Sequence, residues 1–366
     1  MRLTGTTAGS SAVQPPLFTT PEGRVDWVDV AKGVCILFVV MMHSTLGVEE
    51  LTGQASWMGT IVAWAQPFRM PDFFFIAGLF LVRTIDAPWQ RYLDRKVVHF
   101  AYFYVLWMAI QVIVKGVGDP TAIPSHVLSG LFHPFGTLWF IYMLPIFFLV
   151  VRLTKNLPVW LMLGIGAALE IAPIGTGYLL IDEFAARFVY FYAGYALAGY
   201  AFAFADRATS RPLLGFAGLL AWGIVNGLTV FTEVEVFGQT YSVAQLPFLS
   251  LALGAMGALA VIVTAALITR TLVGRGFSYM GARSIVIYLA FFFPMVVVRE
   301  LGARLGLIPD TGTLALVTTL AAVIAPLILY WIIGKIGFGR FLFSRPAWAH
   351  IDRPVRAKRV TIAPAE

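Results

Sequence analysis

The sequence predicts an all-α fold, a polytopic integral membrane helical bundle of about ten transmembrane helices. Three observations predict it. The first is composition: 59% of the 366 residues are hydrophobic and only 12% are charged, with a mean hydropathy of +0.82. A soluble domain has about 45–50% apolar and about 25% charged residues. This chain lacks the polar surface to cover itself in water, which excludes a cytosolic enzyme, a secreted domain and a disordered protein. The second is that the apolar residues gather in runs long enough to cross a hydrocarbon core, which takes about 20 residues. The third is the distribution of Lys and Arg between the loops.

The runs are justified in order. Residues 1–24 are rich in Gly, Ser, Thr and Pro and have no apolar core, so they are no signal peptide and are expected to form a disordered cytoplasmic segment. The first span, 28–48, is long enough to be a retained helix. The second, 57–82, is interrupted by Pro67 and Pro71. The third, 98–115, comes after the basic stretch Arg91–Lys96, and the fourth, 137–151, opens near Trp139. The fifth, 158–173, is the weakest, being short, carrying Glu170 and ending at Pro173. The sixth, 186–204, leads to Arg207 and Arg211, after which 212–231 forms the seventh. Spans 245–268, 284–300 and 312–333 complete the set. Trp27, Trp57, Trp139 and Trp160 sit near expected helix ends, as interfacial Trp does.

With the N-terminus inside, all but five of the 26 Lys and Arg residues fall on the cytoplasmic side, the exceptions being Arg69, Lys115, Arg187, Arg299 and Arg304. Glu49, Glu50, Asp119, Asp182, Glu183, Glu233, Glu235 and Asp310 fall outside. This is the positive-inside pattern, and removing the fifth span would scramble it. Both termini are therefore expected to be cytoplasmic. The net charge of +7 reflects these loops and calls for no nucleic acid. The basic tail 344–366 reads as a disordered topology determinant in contact with anionic membrane lipids. The single Cys35 leaves no disulfide framework and no thiolate metal site. His126 and His133 share an outer loop with Asp119 at no recognised ligand spacing, so no metal is expected.

The first helix holds the most informative side chains. Lys32 and His43 are eleven residues apart, which places them within about 20° of one helix face and roughly 16 Å apart along the axis. Asp29, three residues before Lys32, is positioned for an ion pair. One stripe thus carries an acid–base pair at the cytoplasmic end and an imidazole deep in the bilayer, with Ser44 beside it. Asp29 and Lys32 alone suit interfacial anchoring. A His at that depth is costly and is a functional candidate, or else bonds a neighbouring helix. In the second span, Arg69 and Asp72 are three residues apart in a proline-broken helix. They are read most simply as an internal ion pair, structural or lining a substrate cavity. Arg91, Arg95 and Lys96 form a basic cluster at a helix start, which suits either the topology signal or a phosphate site.

These residues resemble the membrane-bound acyltransferase family 3, multi-span bacterial inner-membrane proteins, many of which O-acylate glycans. The resemblance rests on Lys32-x10-His43, on Phe68-Arg-Met-Pro-Asp-Phe-Phe-Phe-Ile-Ala-Gly78, and on Arg95-Lys96-x-x-His99. It continues through Leu138-Trp-Phe-Ile-Tyr142, Tyr190-Phe-Tyr-Ala-Gly-Tyr195 and Gly281-Ala-Arg-Ser284-Ile-Val-Ile-Tyr-Leu289. Ala77, His99 and Phe291 depart from the family pattern, which often has Ser, Arg and His at those places. The acyltransferase-3-like domain is placed at 25–343.

The resemblance implies an O-acyltransferase of the bacterial inner membrane. It would move an acyl group, acetyl or succinyl, from acyl-CoA to a hydroxyl of a glycan or lipid-linked sugar. His43 would act as base or acyl carrier with Lys32 and Asp29 assisting. Arg91, Arg95 and Lys96 would hold the CoA phosphates, while Arg69, Asp72 and Ser44 would line the substrate path. A glycan or lipid-precursor transporter and a catalytically silent relative are the competing readings.

Overall fold

Asp26 and Asp29 lie in the first turn of the first helix, where carboxylates oppose the positive end of the helix dipole. The computed structural model describes residues 26–115, 121, 123–134, 136–306 and 308–352. The expected N-terminal segment, Asp119, and the tail beyond 352 lie outside the described residues.

The chain runs through α1 (Asp26–Thr52), α2 (Trp57–Trp64), α3 (Gln66–Gly78), α4 (Trp89–Leu93), a π-helical turn (Asp94–Val98) and α5 (His99–Lys115). It continues as α6 (Ile123–Phe132), α7 (Trp139–Thr154), α8 (Val159–Ile171), α9 (Leu179–Ala196), α10 (Ala198–Ser210) and α11 (Pro212–Phe231). It ends with α12 (Leu249–Ile268), α13 (Leu272–Gly281), α14 (Ser284–Ala290), α15 (Phe292–Leu305) and α16 (Thr311–Ile336). Between α11 and α12, β1 (Glu233–Val236) and β2 (Gln239–Ser242) form one antiparallel hairpin. Its turn residues Phe237 and Gly238 have φ of 49° and 74°. Positive φ at both central positions matches the twist of a two-residue hairpin.

Six stretches are long and apolar enough to cross a membrane: Asp26–Thr52, Trp89–Val114, Ile123–Thr154, Pro212–Phe231, Leu249–Ile268 and Thr311–Ile336. Two helix pairs are long and apolar enough only when taken together, and both are bent, Leu179–Ala196 with Ala198–Ser210 by 75° and Ser284–Ala290 with Phe292–Leu305 by 52°. The protein is a polytopic helical membrane protein. Against about ten expected spans, the described residues hold six, or eight with the bent pairs, and the difference lies in the second and the fifth. The expected second span is broken between α2 and α3, where Pro67 begins the new helix and cannot donate the backbone bond that would continue the old one. The expected fifth is the 13-residue α8, bounded by Pro158 and Pro173.

Small residues set the helix spacing, as they do where membrane helices meet closely. α1 packs against α3, α12, α13 and α16. A Cβ on Gly281 would fall 1.7 Å from the Asp29 carbonyl oxygen, and one on Gly33 would fall 2.1 Å from that of Phe277. α1 and α13 therefore touch backbone to backbone beside Lys32. Gly78 and Gly194 do the same for α3 and α9, each pressed on the other helix's backbone.

Candidate active site

The α1 stripe forms as its spacing predicts at its first end. Lys32 Nζ lies 3.3 Å from Asp29 Oδ1 and 5.6 Å from the centroid of the Phe80 ring. Lys96 comes from the π-helical turn, with Nζ 4.6 Å from the centroid of the Phe148 ring. Both amines line one cavity of about 290 Å³, walled by Phe73, Phe80, Phe100, Phe140 and Phe148 and completed by Ser284 and Tyr288. Tyr288 fixes one wall. Its hydroxyl donates to the Thr137 carbonyl and accepts from the Phe140 N–H at 3.2 Å, tying α14 to the start of α7. Two cations in an aromatic pocket can hold an anion that also carries a flat or apolar part.

Arg91 and Arg95 do not line this cavity. Arg91 Nε lies 3.2 Å from Asp352 Oδ2, and Arg95 is exposed. The basic cluster is therefore divided, because consecutive positions on a helix point about 100° apart. Nearby, the hydrogen bond from Lys155 holds the Asp86 carboxyl below its ordinary value. Arg152 lies 3.6 Å from the same carboxylate.

His43 is half-buried further along α1 and does not line the Lys32 cavity. Its ring centroid lies 5.5 Å from that of Phe291, the residue that stands where the family pattern often has a second His. One helical turn further, a Cβ on Gly47 would fall 2.3 Å from Arg299 Nη1. The Ser44 hydroxyl is buried and has no hydrogen-bond partner among the described residues.

The expected Arg69–Asp72 ion pair is not formed. Arg69 Nη1 donates to the Val62 carbonyl at 3.2 Å, and both Asp72 carboxylate oxygens are buried without a hydrogen-bond partner among the described residues. The reason is directional: helical side chains lean toward the helix N-terminus. Arg69 therefore reaches back to the α2–α3 break and not forward to Asp72.

Sequence spacing does not bring together three polar residues that the fold does. Glu170 of α8 accepts from Ser250 Oγ at 2.7 Å and from the Tyr190 hydroxyl at 3.4 Å. In the sequence Glu170 weighs only against its span; a carboxylate in an apolar run is itself the signal of an internal partner. Arg69, Arg187 and Arg299, three exceptions to the charge bias, sit in helices of the bundle and not in loops.

The tail is also corrected in part. Arg345 Nη2 pairs with the Asp94 carboxylate, and Trp107 Nε1 donates to the Leu342 carbonyl at 3.0 Å. The segment up to Asp352 is folded onto α4, the π-helical turn and α5 because it satisfies buried polar groups there.

The fold defines a helical membrane bundle that encloses a cavity with two lysines and aromatic walls and carries an imidazole within its first span. The chain matches the acyltransferase 3 family, described as an acyltransferase domain, over residues 25–334, and it belongs to that family. It is 27% identical over 157 residues to inner membrane protein YcfT of Escherichia coli (strain K12), a match covering 36% of this chain and 44% of YcfT. The matched part is thus less than half of that relative's length. No solved structure matches the chain.

Proposed function

We propose that the protein is an inner-membrane O-acyltransferase that moves an acyl group, acetyl or succinyl, from acyl-CoA to a hydroxyl of a glycan or lipid-linked sugar. Both termini face the cytoplasm. The observation that carries this reading is the cavity shared by Lys32 and Lys96. CoA is polyanionic with an aromatic base, and that pocket offers two amines among phenyl rings. His43 lies roughly 16 Å along α1 from Lys32, a gap that an extended pantetheine arm covers.

In the reaction the acceptor hydroxyl oxygen bonds to the thioester carbonyl carbon, the C–S bond breaks, and the CoA thiolate leaves. His43 takes the hydroxyl proton as the attack proceeds and can return it to the departing sulfur, or it carries the acyl group itself. Lys32, oriented by Asp29, offsets the donor's negative charge. Arg69, Asp72 and Ser44 line the acceptor's approach in this reading.

Membranes containing the protein, incubated with radiolabelled acetyl-CoA or succinyl-CoA, should yield a labelled glycan ester, and His43→Ala membranes should not. Equal labelling in both would reject the assignment. One observation favours a second reading, a catalytically silent relative: Phe291, not a second imidazole, faces His43. Absence of any ester with intact CoA binding would select it.

A further inference from the structure

Asp94 has side-chain exposure of 5% and its partner Arg345 of 3%. Arg345 grips the residue twice: Nη2 bonds carboxylate oxygen Oδ2, and Nη1 donates to the Asp94 carbonyl at 2.9 Å. His350 Nδ1 lies 3.2 Å from the same Oδ2, and Oδ1 accepts the Ile351 N–H at 2.7 Å. Gln90 Nε2 donates to the Ile351 carbonyl at 2.7 Å. The segment after α16 is thus strapped to α4 and the short turn that succeeds it.

That turn is irregular. The Asp94 carbonyl accepts from His99, five residues on, so Asp94–Val98 is a π-helical turn. Such a turn accommodates an extra residue and rotates the succeeding residues relative to an unbroken α-helix. The carbonyl that closes it is the one Arg345 also bonds, and the turn carries Lys96 into the cavity. An α-helical repair of the turn would change the direction of Lys96 by a large part of 100°.

We infer that the C-terminal strap is a working part of the donor site, with Arg345 and Asp94 as positioning residues that hold the π-helical turn so that Lys96 faces the bound anion. This rests on the reading that Lys96 contacts the donor's phosphates. It gives the segment beyond the transmembrane core a role in donor affinity, separate from topology.

The test is a double-mutant cycle on CoA binding to the purified full-length protein at low salt, with thermal melting measured on every variant. Lys96→Gln should weaken CoA binding about tenfold, the loss of one charge-assisted contact. Arg345→Gln should weaken it by a similar factor, and the double variant should be no weaker than Lys96→Gln alone, because residues acting through one contact are non-additive. Arg345→Lys should recover part of the affinity. Asp94→Asn carries the same comparison if Arg345→Gln does not fold. Unchanged affinity in Arg345→Gln while Lys96→Gln weakens binding overturns the inference and leaves the donor site standing. A double variant showing the product of the two losses overturns it as well. No effect of Lys96→Gln rejects the donor reading and this inference together.

Discussion

Lys32 and Lys96 come from different helices and meet in one cavity, each with its amine near a phenyl ring. One lysine is held by a carboxylate one turn away on its own helix. The other is presented by an irregular turn. This division separates the basic cluster Arg91, Arg95 and Lys96 into one internal cation and two that face elsewhere, and it sets the first expected outcome.

Lys32→Gln and Lys96→Gln should each weaken CoA binding by about tenfold at low salt, and the loss should shrink as salt screens the wild type. Arg91→Gln should change affinity by less than about twofold, because Arg91 is exposed and paired with Asp352 and exposed pairs contribute about 0–1 kcal/mol. Titration calorimetry in detergent at two ionic strengths separates the cases. Equal losses for all three would return the site to the whole cluster.

His43→Ala and His43→Gln should both lose acyl transfer while the protein still folds. General base catalysis typically contributes about 10²–10⁴-fold, and Gln keeps a hydrogen bond but carries no proton. A folded His43→Gln protein within a few-fold of wild-type turnover removes the catalytic role. If neither variant folds, the ring contact with Phe291 is what His43 supplies.

Gly281→Val should destabilise the bundle more than Gly276→Val on the same helix. A Cβ at Gly281 collides with the Asp29 carbonyl, while one at Gly276 meets nothing within 4 Å. Overpacking a tight contact costs about 1–3 kcal/mol. Melting temperatures in detergent give the comparison, and equal values would show that α1 and α13 can part without cost.

Glu235→Cys should be labelled from the outer face and Arg207→Cys from the inner face by a membrane-impermeant thiol reagent. Glu235 and Arg207, the latter near the end of α10, are both exposed, and the single native thiol, Cys35, is buried, so background labelling is low. The reverse pattern would invert the proposed topology.

The sequence by itself determined the membrane class, the succession of helical segments and the Asp29–Lys32 pair. Each comes from local physics: hydropathy fixes what can face lipid, and the 3.6-residue period fixes which neighbours share a face. It also marked His43, since an imidazole in an apolar run is costly wherever it falls, and Lys96 as one of a basic cluster at a helix start.

Only the tertiary structure decided which of those groups meet. Arg69 and Asp72 have the spacing of an ion pair, yet Arg69 is taken by the carbonyl at the α2–α3 break. Arg345 stands in what reads as a loose basic tail, yet it fills a buried partner's need 251 residues away. Lys96 lies in a π-helical turn and lines the cavity. Contacts of this kind depend on how closely glycine-lined backbones approach and on where a helix leaves its regular rotation. Neither leaves a periodic trace in the order of residues.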